Sequence, residues 1–160
     1  MQFIKFNVRE ILAAGAVVLS LLFVAIELRQ NTEAAKAAAL MDYYAAAAEN
    51  YSMLANDPEL ARITVNVFFD PEKLSQADHQ RFFAFKFAGY HSLQGAYRLW
   101  TMGVLPDEEW ESALRGYCPR EQDDEKIVST MQRLWNMSKP SLMPSFVEVV
   151  ERACGFSRSG

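Results

Sequence analysis

The sequence predicts an all-α protein, in which one N-terminal transmembrane helix continues into a long rod that packs in a small helical bundle. Three observations predict it. The run Ile11 to Ile26, ILAAGAVVLSLLFVAI, is sixteen residues without a charge. From Glu27 to Asn56 the chain is dense in alanine, the best helix former, and holds neither proline nor glycine. Beyond that, apolar residues recur at helical spacings, and no alternating strand pattern interrupts them.

The uncharged run is slightly shorter than the ~17–25 residues of a spanning helix, and adding Val8 and Leu28 brings it into range. Arg9 and Arg29 stand at its two ends, where long basic side chains reach the headgroups. A cleaved signal peptide would end in a small-x-small site. Phe23 to Leu28 offers none, and Ala35-x-Ala37 lies too far on. A buried core helix is the remaining alternative. Lys5, Arg9 and the terminal amine outweigh Arg29 and Lys36 slightly, which points to a cytoplasmic N-terminus and a periplasmic body. The expected location is therefore a bacterial inner membrane, crossed once. Within the span, Gly15, Ala16 and Ser20 make a small-xxx-small pattern that permits close helix packing. Lipid-facing filler is the plainer reading of the same residues.

The anchor would occupy residues 1–28, the helical bundle 29–156 and a frayed tail 157–160. About 130 residues suffice for one small domain. Net charge is −4 and no basic cluster occurs, so neither nucleic acid nor a polybasic lipid patch is expected. The two cysteines, Cys118 and Cys154, have no CxxC or zinc spacing. Outside the cytoplasm they are a candidate disulfide. The alternative is a pair of small buried thiols.

The rod should run from Val8 to Ala55. Ala37, Leu40, Tyr44, Ala47, Tyr51 and Leu54 alternate spacings of three and four along it, forming one apolar seam. Such a seam suits a bundle contact or a partner helix, although alanine and tyrosine make a weak coiled coil. A leucine at 47 would be expected to disturb so close a contact. Asp57-Pro58-Glu59 starts a short helix that Asp70-Pro71 ends. Ser75-x-x-Asp78 caps a long one reaching Met102, with Gly103 placed to close it. Leu105 to Trp110 begins another, Pro119 to Met137 should form the next, and Phe146 to Ala153 the last.

Catalytic signatures are missing. His79 and His91 lie twelve apart on one predicted helix, roughly 120° apart around it, and cannot share a metal. The acids around Asp107 and Asp123 sit at predicted helix starts, where the helix dipole favours them, and have no EF-hand spacing. No Glu-x-x-His pair, nucleophile elbow or glycine-rich phosphate loop occurs. No catalytic, cofactor or metal residues are therefore expected, and the protein reads as a non-enzyme. The aromatic stripe from Phe82 to Trp100 is core at helical spacing, or the wall of a ligand groove. Tyr90, His91 and Tyr97, with Tyr44 and Tyr51, are the candidate pocket.

The junction Phe23 to Thr32, ending Leu28-Arg29-Gln30-Asn31-Thr32, resembles that of a family of small, uncharacterised bacterial membrane proteins with one N-terminal span. Asn56-Asp57-Pro58-Glu59-Leu60 and Gly103 to Trp110 resemble two later turns of that family, in the same order. The resemblance implies a membrane-tethered helical protein and no particular activity. The expected function is a membrane-anchored interaction or accessory protein that associates with another membrane protein or with itself. The alternative is an extracytoplasmic sensor bundle that binds a small ligand or lipid.

Overall fold

The computed structural model describes residues 7–156. They form six α-helices: α1 (Val8–Asn56), α2 (Pro58–Phe69), α3 (Gln76–Thr101), α4 (Asp107–Arg115), α5 (Glu125–Ser138) and α6 (Pro144–Cys154). The fold is all-α, and no strand occurs among the described residues. The chain divides into two units, Met1–Ala38 and Ala39–Gly160, so the compact body begins ten residues later than the expected start of the bundle at Arg29. Lys5 and the expected frayed tail, 157–160, lie outside the described residues.

The first unit is the apolar half of α1. Its most apolar eighteen-residue window has a mean hydropathy of 2.5, and none of it is buried. It is long and apolar enough to cross a membrane. Ser20 donates its hydroxyl to the Ala16 carbonyl at 2.9 Å, so its one polar side chain in the run is satisfied within the helix. Nothing approaches within 4 Å of where a side chain on Gly15 would begin. Gly15, Ala16 and Ser20 thus lie on an open helix surface.

The second unit is built around α3, which packs on α2, α4 and α5. Its sequence explains its limits. Ser75 accepts from the Asp78 N–H, and the Asp78 carboxylate accepts from the Ser75 N–H at 2.9 Å, a reciprocal cap. At the other end Gly103 takes φ +67°, which lets the Val104 N–H reach the Leu99 carbonyl at 2.8 Å. Ser75→Ala should therefore lower stability by about 1 kcal/mol, read as a drop of a few degrees in the melting temperature. An unchanged melt would mean that the cap contributes nothing.

Two apolar clusters follow. Ile63 and Val67 of α2 meet Phe82 and Leu134 in the smaller one. The larger gathers Tyr90, Leu93 and Tyr97 of α3, Trp110 and Leu114 of α4, Trp135 of α5, and Phe146 and Val150 of α6. Trp135, Phe146 and Val150 have no exposed surface. The Trp135 indole N–H donates to the buried Glu151 carboxylate at 3.3 Å, and the Lys139 amine donates to the same oxygen at 3.0 Å. A carboxylate among apolar side chains needs such donors, because an unpaired buried charge is costly.

The last helix starts two residues earlier than expected, at Pro144, and the largest difference from the sequence expectation is at the start of α5. α5 starts at Glu125 and not at Pro119. Asp123 accepts from the Arg120 N–H at 2.8 Å and closes a turn, and Asp124 then caps the helix by accepting from the Ile127 N–H at 2.8 Å. Short acidic side chains that compete for local N–H groups delay the helix until after them. Cys118 and Cys154 are joined as a disulfide, with Cα atoms 4.7 Å apart. The bond ties the segment after α4 to the end of α6.

Candidate functional site

The body half of α1 meets the rest of its unit through Leu40, Tyr43, Ala47, Asn50 and Leu54, all half-buried. These alternate spacings of three and four, as the expected seam does, but the seam is turned by one residue at two places. Tyr43 and Asn50 face inward, whereas Tyr44 is 43% and Tyr51 77% exposed. Leu40, Ala47 and Leu54 belong to both stripes, and Ala37 is exposed within the first unit. A helix presents two overlapping stripes of this period, about 100° apart. The apolar choice at 51 concealed the real one, because a polar Asn50 is acceptable only where the seam borders a hollow.

That hollow is a cavity of about 540 Å³ between the body half of α1, α3, α4 and Tyr117. Small side chains create it. Ala47 from α1, Gly89 and Ser92 from α3, Ser112 and Ala113 from α4, and Gly116 just after it all line it. Where three helices present residues this small toward each other, their axes leave a volume that no side chain fills. Larger side chains close the ends: Tyr43, Tyr51, Leu54, Phe85 and Tyr117. Ala47, half-buried in the seam, therefore also borders open volume. The expectation that Ala47→Leu disturbs the seam gives way to one in which leucine occupies the cavity.

The polar groups of the cavity are few and placed. Tyr44 donates to the Glu109 carboxylate. The Tyr117 hydroxyl donates to the Gly89 carbonyl at 3.0 Å, a contact open only because position 89 has no side chain. A Cβ there would meet that hydroxyl at 2.9 Å. Lys86, in the middle of α3, has its amine 5.8 Å from the centre of the Tyr117 ring, a cation–π distance. No carboxylate among the described residues lies within ion-pair range of it.

Burial sets the ionisation of these groups. It lowers the Lys86 pKa, because a half-enclosed ammonium loses water without gaining a counter-charge. The charged amine therefore weakens the fold at low pH. That penalty falls away as pH rises from the lowered pKa toward the ordinary lysine value. Burial, then the nearby Tyr51 and Tyr43, pushes the Tyr117 phenol up to about 12. Burial, then Tyr51 and Glu109, also raises Tyr43. Both phenols are protonated donors at neutral pH.

The expected pocket residues divide. Tyr44 and Tyr51 line the cavity, but Tyr90, His91 and Tyr97 do not. Tyr90 and Tyr97 are 2% and 8% exposed and belong to the core. Their rings lie 5.3 Å from Trp135 and 5.5 Å from Phe146, respectively. His91 is exposed, with its ring 4.5 Å from Phe87 on the outside of α3. Tyr90 and His91 are turned by about 100° and 200° from Gly89 around α3, whereas Tyr97 continues the stripe of Gly89 and Leu93 one turn further, where it packs in the core beyond the cavity. Lys86 was missed although the sequence marks it, as one charge inside the aromatic run Phe82-Phe83-Ala84-Phe85-Lys86-Phe87. Among the described residues, no group of His, Cys, Asp and Glu could hold a metal ion.

No family model, curated protein or solved structure matches this chain.

Proposed function

We propose that this is a single-span bacterial inner-membrane protein whose helical body acts as a non-enzymatic interaction or accessory subunit, associating with another membrane protein or with itself. The observation that carries the reading is the wholly exposed apolar half of α1. Val17, Leu19, Leu21, Phe23 and Ile26 each keep more than half of their surface open. In water such a surface is untenable, and a bilayer is the environment that accommodates it. The Cys118–Cys154 bond supports a body in the oxidising periplasm, with the N-terminus cytoplasmic. Gly15, Ala16 and Ser20 would be the closest approach for a partner span.

Membranes washed with alkaline carbonate should retain the protein, and mild detergent should release a particle heavier than one chain. Recovery in the carbonate supernatant would overturn the anchor. A lone monomer in detergent would overturn the association. A second reading, a ligand-binding sensor body, is favoured by the cavity, whose size and mostly apolar lining suit a small organic molecule.

A further inference from the structure

We infer that the cavity is a binding site for an amphiphilic monocarboxylate, with Lys86 holding the carboxylate and the apolar wall holding the tail. The inference rests on the ligand-binding reading and adds the chemical class. Lys86 is half-buried, and among the described residues its partner is an aromatic ring and no carboxylate. An enclosed ammonium is stabilised by an anion that can approach it without water. The phenols of Tyr43 and Tyr51 line the same cavity and supply further donors. Leu54, Phe85 and Leu93 also line it and give a hydrocarbon tail apolar surface that a hydrated inorganic ion would not use.

Charge decides between headgroups. One lysine, with no arginine lining the cavity, neutralises one negative charge. Glu109 already carries one on the same wall, held by Tyr44, and would oppose a dianionic phosphate. A single negative charge placed beside Lys86 meets less of that repulsion than two, which favours a monocarboxylate over a phosphate dianion. The volume of about 540 Å³ suits roughly ten to twenty non-hydrogen atoms. A bound anion would also reverse the effect of burial on Lys86 and favour its charged form.

The test titrates the full-length protein, in nanodiscs of zwitterionic lipid, with decanoate, decanol and decyl phosphate, reading heat and melting temperature. Decanoate should bind at least tenfold more tightly than decanol and should raise the melting temperature. Lys86→Met should erase that preference, Lys86→Arg should retain it, and Ala47→Phe should abolish both bindings by filling the cavity. Equal binding of decanoate and decanol, lost in Ala47→Phe, would overturn the carboxylate assignment and leave the ligand-binding reading standing. Tighter binding of decyl phosphate would overturn it in favour of a phosphate headgroup. No binding of any probe, or binding that Ala47→Phe leaves intact, would overturn the ligand-binding reading as well.

Discussion

Trp135→Ala should destabilise the body by about 4 kcal/mol, within the range for emptying a fully buried aromatic site. Trp135 has no exposed surface, and its ring lies against Tyr90, Phe146 and Phe156 at centroid distances of 5.3, 6.2 and 5.7 Å. Packing from α3, α5, α6 and the segment after α6 converges there, so neighbours cannot collapse into the hole without breaking their own contacts. The indole also supplies one of the donors to Glu151. Its loss leaves that carboxylate with less compensation in a dry place. For a body of this size the melting temperature should fall by roughly 15 °C. Such a change is a large share of the ~5–15 kcal/mol that domains possess. Thermal unfolding of the detergent-solubilised protein, followed by circular dichroism at tyrosine and tryptophan wavelengths, reads it directly. A fall of less than about 3 °C would remove Trp135 from the centre of the core. Trp135→Phe should cost less, since it restores most of the volume and leaves a smaller void together with the lost N–H.

Cys118→Ser should cost about 3–4 kcal/mol, because the bond closes a long loop in the unfolded chain. The bonded residues are 36 apart in sequence. The effect has a local consequence as well. Cys118 follows Tyr117, whose ring and hydroxyl form one wall of the cavity. Without the bond, Tyr117 keeps its contacts with Tyr90, Gly89 and Lys86 and its backbone hydrogen bond to Leu114, but its neighbour loses the tether to α6, so ligand affinity should weaken together with stability. The parent protein should migrate differently on a gel with and without reductant, and the variant should not. If reductant changes neither migration nor melting temperature, the pair is not bonded in the cell, and the periplasmic placement of the body loses its main support.

Local chemistry was legible in the chain. The caps at Asp57 and Ser75, the stop at Gly103 and the helical span all follow from neighbours within four residues, where propensity and hydrogen bonding act. Facing directions were less legible. The seam of α1 could be drawn through Tyr44 and Tyr51 or through Tyr43 and Asn50, and periodicity alone does not separate two stripes one residue apart. The same ambiguity placed Tyr90 and Tyr97 in a pocket, although both are core.

The sequence by itself determined an all-α chain, the long apolar helix at its start, the scarcity of catalytic signatures and the two cysteines available to pair. Only the tertiary structure decided which small residues meet across α1, α3 and α4, that Cys118 and Cys154 come together, and that Lys86 is half-buried beside Tyr117 with no acidic partner among the described residues. The physical reason is range. A helix and its ends are set by interactions a few residues long, whereas a cavity is the space left between side chains that lie far apart in sequence, and no local pattern records what fails to fill it.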